Sequence, residues 1–309
     1  MFFLPSPPFY ALSRIPDRDG TRPQNPSEED ATPETMLPDT TYRTFRTFTV
    51  NEGKTSPLPT DLIVESPLQI IVNDQPHTLL MCTPHMVQEL TIGFLFTEGL
   101  IAGPNDIIGL DIRGIRPDRR ENQNDMIEAR VWVPPGGSAF TRIPGRRISY
   151  SSCGICGTET YDRMKEGLDR IRSRTRFSME MLRKVSSTLK TFQPLYRKTK
   201  GAHAAFLFDA KGSKILHAED MGRHNALDKV IGALLVQKIS PRDKMLVSSG
   251  RASLEMILKT TSIGIPLFAA MSRPTSLAVE AAKFYNLTLV DLAKDRNRIY
   301  SHARRIEEF

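Results

Sequence analysis

The chain has 309 residues, 39% of them apolar and 25% charged, a balance that suits a soluble globular protein with one large core or two smaller ones. No apolar run approaches the roughly 18–20 residues that span a bilayer, and three cysteines are too few and too odd in number for a secreted disulfide scaffold. The opening Met1-Phe2-Phe3-Leu4 is broken by Pro5, Pro7 and Pro8 and is no signal peptide, so the expected setting is cytoplasmic and away from membranes.

Charge is uneven along the chain. Residues 1–40 hold three basic and seven acidic residues, a balance of −4, so the remainder carries +11 of charge to give the formal net of +7. A body that basic points to an anionic partner or to a plain solvated surface. Nucleic acid is not expected, because no zinc-finger spacing, RNP-like run or aromatic-interleaved basic stripe is present.

Residues 1–41 read as a disordered acidic tail rich in proline. Residues 42–150 read as an α+β part. Its strands are expected at Tyr42–Val50, Leu68–Val72, His77–Cys82, Leu110–Arg116 and Met126–Val133, with turns at Asn51-Glu52-Gly53 and Asn73-Asp74. Thr83 is expected to cap a helix begun by Pro84, whose stripe Val87, Leu90, Phe94 and Leu95 runs out near Gly99. Residues 151–199 carry a cysteine loop and two connecting helices, Thr158–Ile171 and Ser178–Phe192. Arg170, Arg172, Arg174 and Arg176 lie along them as a solvated face.

From residue 200 to 309 the pattern is α/β. A hairpin, Ala204–Asp209 and Lys214–Ala218, leads to helix Ala226–Val236 and strand Lys244–Val247. Helix Ser253–Ser262, strand Pro266–Ala270, helix Thr275–Phe284 and strand Leu287–Leu292 follow. Such alternation predicts a mostly parallel sheet covered by helices.

Three stretches carry chemistry. Ser151-Ser152-Cys153-Gly154-Ile155-Cys156-Gly157 sets two thiols three residues apart on a glycine-rich loop. It fits a redox dithiol, a zinc half-site, a persulfide-carrying nucleophile or two inert cysteines. Zinc lacks further ligands at short spacing, and Cys82 reads as a core residue. Asp220–Lys229 gathers charge at a helix start, where His224 and Asp228 stand at i and i+4, so that Asp228 can orient the imidazole. The alternative is a capping and salt-bridge cluster. Ser249-Gly250-Arg251 and the turn at Arg273 each follow a strand and precede a helix, where free backbone N–H groups and an arginine can meet a phosphate. Each also reads as an ordinary turn. His203, at a strand start, reads as a structural histidine.

Taken in order, Thr97–Ile101, Ser151–Gly157, Gly201–Ala204, Glu219–Lys229, Ser248–Lys259 and Pro274–Ala282 resemble the FdhD family over roughly residues 44–306. These are the sulfur-carrier accessory proteins of formate dehydrogenase. The resemblance implies a cytidine-deaminase-like, three-layer C-terminal domain. It also implies a sulfurtransferase that takes persulfide sulfur from a cysteine desulfurase and passes it to a molybdenum bis(pyranopterin guanine dinucleotide) cofactor destined for formate dehydrogenase. A homodimer is implied as well. Cys153 matches the family's persulfide cysteine and Cys156 its second thiol. The family's cofactor-binding stretch falls on Leu292, Ala293, Lys294, Asp295, Arg296 and Asn297, where Asp291-Leu292 and Lys294-Asp295 depart from the family's Gly-Phe and Arg-Gly. Ser249, Gly250, Arg251, Arg273 and His224 are the further candidates for holding the cofactor, and Arg146, Arg147 or His224 for lowering the thiol pKa. A chaperone that binds the cofactor without chemistry and a dithiol oxidoreductase are the rival readings. Zinc deaminases carry His-x-Glu and Pro-Cys-x-x-Cys. Here Ala204-Ala205 follow His203 and Ser152 precedes Cys153, so neither deamination nor bound zinc is expected.

Overall fold

The computed structural model describes residues 41–115, 126–134, 167–293 and 297–309. Two ten-residue strands open it, β1 (Tyr42–Asn51) and β2 (Lys54–Ile63), paired antiparallel as a ribbon of their own. The strand β2 was not expected, because Pro57 and Pro59 argue against a ladder. They fit because the ribbon's ladder alternates. Val64 N–H donates to the Thr41 carbonyl, so the pairs Phe48–Pro57 and Arg46–Pro59 fall at positions whose N–H would point away from β1.

A four-stranded sheet follows in the order β4-β3-β6-β5, from β3 (Ser66–Val72), β4 (Gln75–Cys82), β5 (Gly109–Ile115) and β6 (Met126–Trp132). The β3–β4 turn is at Asn73-Asp74 as expected, both residues at positive φ of 48° and 61° as a two-residue hairpin demands. Helix α1 (Val87–Thr97) packs Leu90, Phe94 and Leu95 on this sheet with Leu68, Ile70, Ile127 and Val131. Its cap is Met86, not Thr83. Thr83 is drawn away because its N–H donates to Asp220 Oδ2 and its hydroxyl accepts from the Met221 N–H.

The second sheet has six strands in the order β12-β11-β10-β9-β7-β8. They are β7 (His203–Asp209), β8 (Lys214–Asp220), β9 (Lys244–Arg251), β10 (Leu267–Ser272), β11 (Thr288–Asp291) and β12 (Arg298–Ser301). The expectation of a mostly parallel sheet needs correction: only β9–β10 and β10–β11 run parallel, and the other three pairings are antiparallel. Crossover helices serve the central strands, whereas β8 and β12 return by short turns, and a short turn permits only antiparallel pairing.

Alternation along the strands splits the core. Ala205, Leu207, Leu246, Phe268 and Leu289 face helices α4 (Arg223–Val236), α5 (Leu254–Ile263) and α6 (Ser276–Phe284). Phe206, Phe208, Met245, Val247 and Val290 face α2 (Met179–Thr188), which carries Met179, Leu182 and Val185. The C-terminal part therefore has three layers. The helix expected over Ser178–Phe192 tightens into a 3-10 turn over Leu189–Phe192, and the short α3 (Pro194–Thr199), not expected from the sequence, extends the α2 layer. The segment expected as helix Thr158–Ile171 is not helical where it is described, from Leu168 onward, because its backbone bonds elsewhere: Ile171 N–H donates to the Tyr285 carbonyl.

The two sheets meet through α1 against α4. A Cβ on Gly93 would lie 1.9 Å from the Asp228 carbonyl oxygen, and one on Gly232 would lie 1.9 Å from that of Glu89. Only glycine lets these backbones come so close. Among the described residues no helix is long and apolar enough to cross a membrane.

Candidate functional site

The carboxyl ends of β9, β10 and β11 open on the α2 side into a groove of about 1250 Å³. Ser249 enters it from the end of β9, Leu292 and Ala293 from the end of β11, and Asn297 from just before β12. Four sequence-nominated residues thus share one wall. His203, read as structural, lies on the same wall at the start of β7, where the neighbouring Ala204 N–H donates to Ser249 Oγ at 2.8 Å.

The opposite wall was missed in the sequence. Arg183 and Lys190 come from the polar face of α2 and the turn after it, seven residues apart, while Leu182, Val185 and Leu189 are buried. Tyr196 and Lys200 come from α3 and its end. The signal was the helical spacing of Arg183 and Lys190 opposite an apolar stripe. The α3 wall depends on a distant residue: Glu219 of β8 accepts the N–H groups of Leu195 (2.9 Å) and Tyr196 (2.8 Å). Burial raises the Glu219 pKa, and these two donors oppose the rise.

Asp291, which puts an acid beside the nominated stretch, is fully buried. Its carboxylate accepts from the Ala293 N–H at 3.1 Å and the Tyr300 hydroxyl at 2.8 Å, with Arg298 at 3.6 Å. Its charge braces the turn and does not line the groove. Arg251 ends β9 opposite Ser272 of β10, and Thr275 N–H donates to the Ala252 carbonyl, so the two strand-to-helix turns are neighbours as expected. Neither Arg251 nor Arg273 lines the groove. Gly250 sits behind it: a Cβ there would lie 3.2 Å from Arg223 Cδ and 3.6 Å from His203 Nδ1.

His224 lies apart from the groove, on the α4 side. The expected partner, Asp228, does not orient it. Asp228 is buried beneath it and accepts from Lys259 Nζ (2.8 Å) and the Thr97 hydroxyl (2.9 Å). The imidazole Nε2 instead stands 3.3 Å from Glu255 Oε2 and 3.4 Å from Ser253 Oγ. Burial, with Arg223 and Lys259 near, pushes His224 down to about 3, so it is a neutral imidazole and not a cation for a thiol. Burial pushes Glu255 up to about 7.

Asp220, Asn225 and Lys229 of the same stretch are structural. Lys229 and Asp220 are both fully buried, 2.6 Å apart, and Lys229 also donates to the Thr83 carbonyl. Asn225 donates to the Met81 carbonyl and to Asp220. For Lys259, burial opposes the charge, but Asp228, Glu98 and Glu255 outweigh it and raise its pKa. These contacts fasten the N-terminal sheet and α1 to the second sheet. Cys82 is a core residue, as expected, its thiol pushed up to about 12 by burial and by Asp220.

Cys153, Cys156, Arg146, Arg147, Lys294, Asp295 and Arg296 lie outside the described residues. Among the described ones no three His, Cys, Asp or Glu side chains are grouped to hold a metal ion.

Comparison with known proteins places this architecture. The chain is 37% identical over 265 residues to the Sulfur carrier protein FdhD of Mycolicibacterium paratuberculosis, covering 82% of this chain and 94% of the relative. It is 35% identical over 246 residues to the protein of the same name from Bordetella bronchiseptica, covering 78% and 86%. A crystal structure from Desulfotalea psychrophila, described as that of a candidate formate dehydrogenase accessory protein, matches the fold with a TM-score of 0.67 at 22% identity, over 86% of this chain and all of the other. The sequence model of the FdhD/NarQ family spans residues 63–307, from the end of the ribbon through both sheets and the groove, and this chain belongs to that family.

Proposed function

We propose that this protein is a sulfur carrier serving formate dehydrogenase, with Cys153 as the persulfide cysteine and the groove as the seat of the sulfur acceptor. Family membership supports the sulfur-carrier part. The Cys153 thiolate attacks the terminal sulfur of a cysteine desulfurase persulfide. The donor's S–S bond breaks, the desulfurase cysteine leaves as a thiolate, and a persulfide forms on Cys153. Cys156 is the second thiol of the same motif.

The acceptor in this reading is the molybdenum bis(pyranopterin guanine dinucleotide) cofactor, a substrate here. The observation that carries it is the convergence of Ser249, Leu292, Ala293 and Asn297 on one groove faced by Arg183, Lys190 and Lys200. Two dinucleotides bring several phosphates, and solvent-facing cations with no carboxylate partner among the described residues suit them.

Intact-mass analysis after incubation with a cysteine desulfurase and cysteine tests the first part. Wild type is expected to gain one sulfur, and Cys153→Ala none. Gain of the same adduct by Cys153→Ala, or no adduct on wild type, overturns it. Guanosine diphosphate, one end of the acceptor, tests the second: Lys190→Glu is expected to weaken its binding about tenfold, the loss of one charge-assisted contact.

A further inference from the structure

The alternating arginines of residues 170–176 are not a simple solvated face. Their backbone is extended, with Arg172, Arg174 and Arg176 exposed and Ile171 and Phe177 buried between them and the body. The inward residues are fastened in turn. Ile171 N–H donates to the Tyr285 carbonyl, Ser173 Oγ to the Arg242 carbonyl at 2.7 Å, and Phe177 N–H to the Arg305 carbonyl at 2.7 Å. In an extended chain residues i and i+2 point the same way, so the sequence alternation becomes a row of guanidinium groups. The turn Ala303–Arg305 then sets Arg304 and Arg305 against that row. All five arginines line one cavity of about 350 Å³, closed by Ser173 and Asn286.

No side-chain carboxylate among the described residues pairs with any of the five. Three have hydrogen-bond partners already. Arg176 donates to the main-chain oxygens of Ile306, Glu307 and the final residue Phe309, and Arg304 donates to Asn286 Oδ1 at 2.7 Å. Arg305, only 3% exposed, donates to the Ser173 carbonyl and to Thr288 Oγ1. Arg172 and Arg174 have no hydrogen bond among the described residues. The positive field is felt nearby: burial and Arg304 bring Arg305 down to about 10, and besides burial, Arg305, Arg304 and Arg170 lower His302.

Converging five like charges on one concavity costs electrostatic energy that a spread-out surface would avoid. An anion offsets that cost. Guanidinium forks match phosphate oxygens two at a time, and the cavity is at the small end of ligand sites, which begin at about 300 Å³. Among the described residues no aromatic ring lines it to stack a base, and no apolar wall takes an acyl chain.

We propose that this cavity binds a small anion of the diphosphate or polyphosphate class. Its lining is distinct from that of the groove although the two adjoin: Ala303 and Phe309 border the groove, whereas Arg304 lines the cavity and Arg176, which also lines it, donates to the Phe309 oxygen.

Calorimetric titration of the full chain with inorganic diphosphate, triphosphate and sulfate tests the proposal. Diphosphate and triphosphate are expected to bind well below about 1 mM and more tightly than sulfate, and to weaken as salt rises. Arg172→Gln with Arg174→Gln, both at exposed positions, is expected to lower the affinity at least tenfold at unchanged thermal stability. Lys190→Glu in the groove is expected to leave it within twofold. No binding by about 1 mM, equal binding of sulfate, or unchanged affinity in the double variant overturns the proposal. So does a short single-stranded oligonucleotide that binds with the same arginine dependence while diphosphate does not.

Discussion

The protein uses lysine in two opposite ways. Lys229 and Lys259 are buried, 0% and 4% exposed, and each lies against an aspartate at 2.6 and 2.8 Å. Lys190 and Lys200 reach into an open groove and have no carboxylate partner among the described residues. A buried charge must be matched inside the protein, so the first pair fixes geometry: Lys229–Asp220 reaches Thr83, and Lys259–Asp228 reaches Thr97 and Glu98 across the junction of the two sheets. An exposed charge is matched by water and is free to exchange it for a ligand. The first set therefore governs stability and the second binding.

The sharpest way to break this division is at the buried pair. Lys259→Met leaves Asp228 without its cation, and we expect a loss of about 3–5 kcal/mol in urea unfolding. Joining it to Asp228→Leu should recover most of that, since the charge left unpaired goes too. A recovery of nothing would show that the hydrogen bonds to Thr97 matter more than the charges.

Gly232→Ala is next. Its methyl would meet the Glu89 carbonyl, so α1 and α4 must move apart, at a cost of about 1–3 kcal/mol. A melting temperature equal to wild type would mean that the helices slide at no cost.

Lys200→Glu should do the reverse of Lys259→Met. Stability should stay within about 0.5 kcal/mol, as for exposed sites generally, while guanosine diphosphate affinity falls about tenfold. A change in stability without a change in affinity would erase the distinction.

The smallest effect is in pH. His224, lowered to about 3 from 6.5, withdraws stability as pH falls below 6.5, because the unfolded chain gains that proton first. Glu255, raised to about 7 from 4.5, acts oppositely: the folded state keeps its proton longer, so stability rises as pH falls from about 7 toward 4.5. The two offset each other in wild type over that range. Glu255→Gln should therefore lose melting temperature more steeply than wild type between pH 6.5 and 5. Parallel profiles would show that the two groups do not titrate as described.

Much of this was legible in the sequence where the cause is local. The stripe Val87, Leu90, Phe94 and Leu95, the turn at Asn73-Asp74 and the helix expected from Thr275, whose hydroxyl is found to accept the Ala278 N–H, depend on neighbours within a few residues. So do the strand-to-helix turns that carry Ser249 and Arg251. The failures share a cause in distant partners. Thr83 reads as a helix cap until Asp220 and Met221 occupy it. Six-residue α3 is too short to stand on propensity and is held at its start by Glu219. His224 and Asp228 sit at helical spacing, yet each finds its partner on α5.

Sequence alone determined the family's segments, the thiol spacing of Cys153 and Cys156, the apolar periodicity of both cores and the basic excess outside residues 1–40. Each is a property of which residue follows which. Tertiary structure alone decided which charges are spent and which are free. Arg172 and Arg174 look no different in sequence from Arg176, and Lys259 no different from Lys200. What separates them is burial and the groups that distant chain segments, 31 to 162 residues away, bring within hydrogen-bond reach. Charge interactions depend on distance and dielectric, and the fold sets both.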